Sequence, residues 1–461
     1  MALPRRQFLS TAGAAAVGSL SMKSSGISAE AQQPNVVYVF SDQHRWHSMS
    51  FTGMPELKTP NMARLAGEGI SFDNCISNYS VCSPHRAILM TGRWPYYMKM
   101  KDDSPGMIDN NRPLSPDQMT IGKVFQNAGY RTGYIGKWHL GGNQAEPFGF
   151  HHSILWSGTN NHWESSYTPP NGKRVVSKRY NATHMTDQAM DFITQSQSDP
   201  FFLMLSLNPP HSDFTDPPED KRALYPGESS LSHRGNFVPG VRDGKYEGDW
   251  PKYQGYHAHV SAIDDELGRI MQQLDALGLA DNTILVYSSD HGSMCGSHGL
   301  GNKRHPYEES IKTPFIVRWP KAMPAGQTTD SLFGTIDIMP SLCALAGLAI
   351  PDECQGQNFS PTMLGQTGPS PESQFLMHIY FKKAEERESS DAPYFRGVIT
   401  DRYTYTVRKK GPWQLFDNLK DPYQLNNLID DPGLSAERSK MKNMVAAWLQ
   451  QAGDPFVLPG D

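Results

Sequence analysis

Cys82-Ser83-Pro84-His85-Arg86 sets a thiol, a proline and a guanidinium within five residues, ahead of Ala87-Ile88-Leu89-Met90 and Thr91-Gly92-Arg93. The pattern predicts a helix through His85 to Met90, whose N-terminus favours an anion. The three residue types at this spacing could mark a reactive site, though a Cys, a Pro and an Arg also fall together by chance. A free cysteine is more commonly a small buried hydrophobe, so the rest of the chain must decide. Four further polar segments carry chemistry: Ser41-Asp42-Gln43-His44, Gly136-Lys137-Trp138-His139, Asn208-Pro209-Pro210-His211 and Asp290-His291-Gly292. Asp42, Gln43 and Asp290 offer hard oxygens suited to calcium or magnesium, and His291 adds a nitrogen, less usual for calcium. Lys137, His139, His211 and Lys303 add donors and positive charge. At an effective dielectric of 20, each charge about 4 Å from an anion contributes about 4 kcal/mol of attraction before desolvation. A metal and several cations around two carboxylates make a pocket for a substrate anion. Taken singly, each Asp is more ordinarily a helix cap or turn former, and each His or Lys a structural or solvated side chain.

The elements that must position these residues are legible as apolar runs. Val36 to Phe40, Thr132 to Ile135, Phe201 to Leu207, Ile284 to Ser288 and Phe315 to Arg318 predict strands. Their near-continuous apolar character predicts a sheet covered on both faces, as parallel sheets are. Helices are predicted over Pro60 to Ala66, Pro116 to Asn127, Thr186 to Gln195 and Tyr256 to Leu277. In the last, Val260, Ile263, Leu267, Ile270, Met271 and Leu274 keep the spacing of one buried stripe, which leaves Asp264, Asp265, Glu266 and Arg269 as a solvated face. Strands alternating with helices predict an α/β layered fold with a large, mostly parallel sheet sandwiched by helices. In such sheets ligands bind beyond the carboxyl ends of the strands. Four of the predicted strands end in the polar segments above, so their residues should converge on one site.

From about Pro369 the texture changes to short antiparallel strands, at Tyr394 to Thr400, Tyr403 to Val407 and Trp413 to Phe416, closed by a helix from about Ser435 to Gln451. This divides the chain into a catalytic α/β domain over 32–368 and a C-terminal subdomain over 369–461. The chain of 461 residues has 38% hydrophobic and 19% charged residues, 40 Gly and 35 Pro, as suits a loop-rich globular enzyme. A net charge of −5 with no basic run argues against a nucleic-acid partner. Residues 1–31 form an export signal: Arg5-Arg6 precedes a weakly apolar run from Ser10 to Leu20, and Ser28-Ala29-Glu30-Ala31 supplies a small-residue cleavage pattern. The pattern resembles a twin-arginine signal, which implies a periplasmic or extracellular protein that folds before it is exported. The apolar run is too short for stable membrane insertion. The cysteines are Cys75, Cys82, Cys295, Cys343 and Cys354, an odd number that leaves at least one unpaired. Cys343 and Cys354 are near enough in sequence to be a possible bridge.

The Cys82 motif resembles the signature of type I sulfatases, in the alkaline phosphatase-like superfamily, where the cysteine of Cys-x-Pro-x-Arg is oxidised to formylglycine. The likeness continues in the family's order. Asn35 to Gln43 is similar to the first metal-binding strand, and Thr59 to Ala66 to the helix that follows. Gly136-Lys137-Trp138-His139 and Pro210-His211 resemble the next two segments. Ser289 to Gly292, with Gly296 to Gly299, resembles the second metal-binding strand and loop; Lys303 with Tyr307 to Ser310 resembles the segment of the active-site lysine. Thr335 to Pro340, Phe416 to Pro422 and Asn426-Asn427-Leu428 resemble later landmarks.

The resemblance implies that residue 82, as formylglycine hydrate, is the nucleophile and touches the metal. It implies that Asp42, Gln43, Asp290 and His291 bind Ca2+ or Mg2+, and that Arg86 orients the hydrate. Lys137 and Lys303 would hold sulfate oxygens, His211 would protonate the leaving oxygen, and His139 would take the proton of the second hydroxyl as sulfate is expelled. A formylglycine-generating maturase is the implied partner, acting before folding buries Cys82. The sequence departs from the commonest pattern at His85, where Ser or Ala is frequent, at Gln43 for Asp, and at His291 for Asn. The expected activity is hydrolysis of a sulfuric ester, with a sulfated carbohydrate as substrate. A phosphonate or phosphodiester hydrolase using the same oxidised cysteine and a non-catalytic sulfated-glycan-binding protein are the competing readings. His44, Arg45, His47, Lys99, Lys101, His162, Trp163 and His305 are the candidate substrate contacts.

Overall fold

A computed structural model describes residues 33–100, 113–156, 160–169, 172–239, 249–379 and 394–460. The segment expected to be an export signal and Lys101 lie outside the described residues. The main sheet runs, edge to edge, through Gln327–Thr329, Ile70–Phe72, Phe315–Arg318, Thr283–Ser289, Asn35–Asp42, Phe201–Pro210, Arg131–Lys137, His152–Trp156, Ser165–Thr168 and Val175–Ser177. Thr283–Ser289 through His152–Trp156 are parallel, and antiparallel pairs flank them on both sides. The parallel register explains why the strand ends meet. Val37 pairs with Leu203 on one side and Leu285 on the other, which brings Asp42 level with Pro210 and Ser41 level with Ser289.

Successive side chains of a strand point to opposite faces. Val36, Tyr38 and Phe40 join one buried cluster and Val37 and Val39 the other. A fully buried side chain of this size contributes about 1.5–3 kcal/mol. Helices Pro60–Gly67, Asn181–Ser196 and Lys252–Ala276 cover the second face; Cys82–Thr91, Ile121–Asn127 and Ile338–Leu345 cover the first. Gly136 marks a close approach: at φ +113 its backbone sits so near the neighbouring strand that a Cβ would lie 1.9 Å from the Ser206 carbonyl oxygen. Only glycine serves there, immediately before Lys137.

The C-terminal part is an antiparallel sheet of Gln374–His378, Phe395–Ile399, Tyr403–Arg408 and Gly411–Asp417, with helix Ser435–Gln451 against it. Met441, Val445 and Leu449 form that helix's buried stripe. Trp94 stacks edge-on against both Phe375 and Trp448, so this sheet and helix share a core with the main body. Among the described residues no helix is long and apolar enough to cross a membrane.

Several expectations shift. Asp264 is not solvated but buried: its carboxylate accepts from the backbone of Asn61 (3.1 Å) and Met62 (2.7 Å), satisfying the open N-terminus of helix Pro60–Gly67. Burial pushes it up to about 6. Glu266 is buried against Arg269. The helix expected from Pro116 starts at Ile121, because the Thr120 hydroxyl caps it by accepting from Lys123 N. The helix expected from Thr186 starts earlier, at Asn181. Cys343 and Cys354 are both free thiols, so the possible bridge is not formed.

Candidate active site

The four polar segments do converge. Asp42 closes its strand, Lys137 closes another, and His211 and Asp290 each follow the last residue of theirs. Cys82 enters from the helix Cys82–Thr91, which begins after extended Val81 and ends at Gly92 in the left-handed region, φ 61. Pro84 is tolerated because it lies in the first turn, where its missing N–H has no partner to lose. The helix starts earlier than expected, so Cys82 itself opens it.

Arg86 lies one turn in, 1% exposed. Its Nη2 donates to Asp42 Oδ2 (3.1 Å) and Asp290 Oδ2 (3.0 Å), and its Nη1 to the Lys137 carbonyl (2.8 Å) and Ser206 Oγ (2.7 Å). One guanidinium therefore ties three strand ends to the Cys82 helix. Lys137 Nζ is 2.6 Å from Asp42 Oδ2, and Lys303 Nζ donates to Gln43 Oε1 (3.1 Å) and to Cys82 Sγ (3.4 Å). His211 Nε2 stands 4.0 Å from Asp42 Oδ1. His139 and His211 line the same cavity as Cys82, Lys137 and Lys303, a space of about 690 Å³.

Burial pushes the Asp42 carboxyl up, but Lys137, His211, Lys303 and Arg86 outweigh it and hold it well below the carboxylate range. Burial and Asp42 push the Cys82 thiol up; Lys303, Lys137 and His291 outweigh them, and it lies well below its ordinary value. Burial lowers the Lys137 ammonium, and Asp42 and Cys82 reverse this, so it stays charged. Burial, with Lys303 and Lys137, holds the His211 ring well below its ordinary value. Asp290 is pushed up to about 6 by burial and by Asp42, against His291 and Arg86. It behaves as a carboxylate short of a cation.

The donor set fits one. Asp42, Cys82, Asp290 and His291 each present a ligand atom, all within 4.8 Å of one another and all buried. The His291 Nδ1–H donates to the Gly292 carbonyl (3.0 Å), which turns Nε2 into the cluster. That nitrogen faces Asp290 Oδ1 (3.4 Å), Asp42 Oδ1 (3.7 Å) and Cys82 Sγ (3.2 Å). Two carboxylates, a thiol and a ring nitrogen gathered in this way are a donor set that one cation would satisfy. Gln43, at φ 74, turns the chain so that its N–H donates to Asp290 Oδ1 (3.0 Å) and its Oε1 stays beside Lys303.

His85, the departure within the motif, has a local explanation. Ser77 Oγ donates to the Asp290 carbonyl (2.7 Å), so it accepts from His85 Nδ1–H (2.9 Å). Burial, with His291 and Arg86, holds the ring well below its ordinary value, hence neutral. The imidazole braces the Asp290 segment from behind the Cys82 helix.

The candidate substrate contacts fare differently: none of those described lines the cavity. His44 is buried between Tyr287 and Ser48, Arg45 among Ser48 and Tyr253, and His162 against Asp216. His47 and His305 are buried too, and Lys99 and Trp163 are exposed elsewhere. The left-handed turn at Gln43 directs the following residues away from the cavity. Its walls are instead Trp138, Asn143, Trp156, Asn160, Arg174 and Arg304. Arg304, adjacent to Lys303, was within reach of sequence reasoning. Trp156 ends a five-residue strand and Arg174 lies just before the three-residue edge strand Val175–Ser177, neither long enough for a periodic signal.

The sulfatase family model matches residues 34–348, and the model of the N-sulphoglucosamine sulphohydrolase C-terminal region matches residues 296–451. The chain is 31% identical to an ulvan-active sulfatase of Formosa agariphila, over 93% of this chain and 83% of that one. It is 30% identical to an endo-4-O-sulfatase of Bacteroides thetaiotaomicron, over 93% of this chain and 94% of that one. A structure solved in work on glycosaminoglycan metabolism by Bacteroides thetaiotaomicron matches with a TM-score of 0.80 at 29% identity, covering 92% of this chain and 97% of that one. The family match over 34–348 takes in every member of the cluster from Asp42 to Lys303, and the chain belongs to the sulfatase family.

Proposed function

We propose that this sulfatase removes sulfate from a carbohydrate in an exported compartment, with residue 82 working as formylglycine beside a divalent cation. The observation that carries the reading is the setting of Cys82 Sγ. It opens a helix, lies in contact with Lys303 Nζ, His291 Nε2 and Asp42 Oδ1, and borders a cavity whose walls include two tryptophans and three asparagines. Aromatic faces and amides suit a sugar, and one relative named above is an ulvan-active sulfatase. The Arg5-Arg6 segment supports export, and the 2% exposure of Cys82 supports oxidation by a maturase before folding.

Asp42, Gln43, Asp290 and His291, with residue 82, would hold Ca2+ or Mg2+, which when bound supplies positive charge to the sulfate oxygens. Lys137 and Lys303 hold the sulfate from the cavity side. Arg86 fixes the two carboxylates and the helix that presents residue 82. As the hydrate oxygen of residue 82 gives its proton to the neighbouring Asp290 carboxylate and bonds to sulfur, the ester S–O bond breaks and His211 gives a proton to the leaving oxygen. The sulfate's negative charge, set between the lysines, offsets the cations that keep His211 neutral in the substrate-free site. His139 then takes the proton of the second hydroxyl, the carbonyl re-forms and sulfate leaves. No water attacks sulfur.

A phosphonate monoester hydrolase of Agrobacterium radiobacter shares the fold at a TM-score of 0.69 and 22% identity. Steady-state kinetics on matched aryl sulfate and aryl phosphonate esters separate the two chemistries. The sulfate is expected to have the higher kcat/KM, and a clear phosphonate preference overturns the assignment. For the metal, a chelator is expected to lower the unfolding midpoint and added Ca2+ or Mg2+ to restore it. The shift corresponds to about 2.7 kcal/mol at a metal concentration 100 times the Kd. An unfolding curve indifferent to both additions counts against a metal at this cluster.

A further inference from the structure

A second group of ligating side chains stands apart from the cluster at Cys82. His162, Asp216 and His259 bring a ring nitrogen, a carboxylate oxygen and a second ring nitrogen within 4.8 Å of one another. Their proton inventory distinguishes them from a metal site. The His259 Nε2 faces the Asp213 carbonyl at 2.9 Å and Asp216 Oδ1 at 3.4 Å, so it carries the proton. Its Nδ1 then accepts from the Tyr180 hydroxyl (2.6 Å). The His162 Nδ1 faces Asp216 Oδ1 at 2.7 Å and also carries its proton, while Nε2 accepts from Asn208 Nδ2 (3.2 Å). The His162 backbone N–H donates to Asp216 Oδ2 (3.0 Å). Each ring has both of its nitrogens engaged by protein groups. His291 differs in this respect, with its Nε2 turned toward carboxylate oxygens and a thiol.

What this network holds is the turn that carries His211. Asn208 enters the turn and is engaged by His162; Asp213 leaves it and is engaged by His259. The Asp213 N–H donates to the carbonyl of Asn160, a residue of the cavity wall (2.9 Å). Among the described residues the Nδ1 side of the His211 ring meets only Ser212, and its Nε2 stands 4.0 Å from Asp42 Oδ1, too far for a hydrogen bond to fix the ring. Its place over the cavity is therefore set chiefly by the turn. Both imidazoles are fully buried, at 0% exposure, and a side chain locked by packing and hydrogen bonds is what a precise site requires behind it. We infer that His162, Asp216 and His259 are positioning residues that fix the His211 ring at the leaving oxygen. The inference rests on the reading of His211 as proton donor.

The test uses the matured, metal-loaded enzyme and two probes: 4-nitrophenyl sulfate, whose phenolate leaves without help, and 4-methoxyphenyl sulfate, whose leaving oxygen needs a proton. His259→Leu removes the donor to Asp213; His259→Gln can retain it; His211→Ala is the reference. His259→Leu is expected to lower kcat on the methoxyphenyl ester roughly 10- to 100-fold with KM little changed. It should spare the nitrophenyl ester, and His259→Gln should recover most of the loss. Equal loss on both esters, or none on either, overturns the inference. So does a bound metal that disappears in His162→Gln and His259→Gln. If His211→Ala shows no difference between the esters, the reading of His211 itself falls. If it does and His259→Leu does not, only the positioning role falls.

Discussion

Replacing Cys82 with alanine abolishes sulfate-ester turnover, by on the order of 10⁴-fold or more, while the protein keeps its fold. The two halves of this result have separate causes. Activity disappears because residue 82 supplies the attacking oxygen, and no neighbour substitutes: Asp42 is engaged by Arg86 and Lys137, and Lys303 is a cation. Stability survives because Cys82 is the first residue of its helix, where alanine is a strong helix former. The deleted sulfur faces Lys303, His291 and Asp42 and not an apolar core, so the cost stays within about 1 kcal/mol. The checks are kcat on an aryl sulfate and a thermal melt of the same preparation. Mass spectrometry of the peptide spanning residue 82 completes them: active wild-type protein carries an aldehyde in place of the thiol. Retained turnover in Cys82→Ala, or an unmodified thiol in fully active enzyme, removes the nucleophile assignment.

The site was legible where it depends on strands. Apolar runs ending in Asp42, Lys137, His211 and Asp290 predicted convergence because parallel strands in register deliver their carboxyl ends to one level, and the observed pairing of Val37 with Leu203 and Leu285 does so. Helix Ser435–Gln451 was equally plain, with Pro432-Gly433 ahead of it and Gly453 in the left-handed region behind. What was hidden has physical reasons. Asp264 sits among charged residues on a helix whose apolar stripe is complete without it, so nothing local announces a buried cap. His162 is a lone histidine in sequence; its role exists only through Asp216, Asn208 and the His259 beside it in space. His44, Arg45 and His47 looked like pocket residues through adjacency to Asp42, and one left-handed residue, Gln43, takes them elsewhere. The cavity wall Trp156 ends a five-residue strand and Arg174 precedes a three-residue one, both too short for periodicity to show.

Arg86→Gln is expected to cost about 3–5 kcal/mol of stability, the range for breaking a buried ion pair from one side. The guanidinium is 1% exposed and donates to two buried carboxylates, a backbone carbonyl and a hydroxyl. Glutamine is neutral and too short to span Asp42 and Asp290 together. Asp42 keeps Lys137 at 2.6 Å, so the loss falls chiefly on Asp290, whose carboxyl is already pushed up to about 6. Arg86→Lys is expected to recover only part of it, because a point charge cannot reproduce the fork that reaches both carboxylates and Ser206. A cation held by Asp42 and Asp290 bears on the same deficit. Excess Ca2+ should therefore raise the unfolding midpoint of Arg86→Gln by more than it raises that of the wild type, while turnover stays lost because the Cys82 helix is no longer tied to the strand ends. Urea unfolding of both proteins, with chelator and with Ca2+, measures the difference. A variant that unfolds at the wild-type midpoint shows that Arg86 is not the tie between the carboxylates; one that is destabilised but gains no more from Ca2+ than the wild type shows that the cation and the guanidinium do not share them.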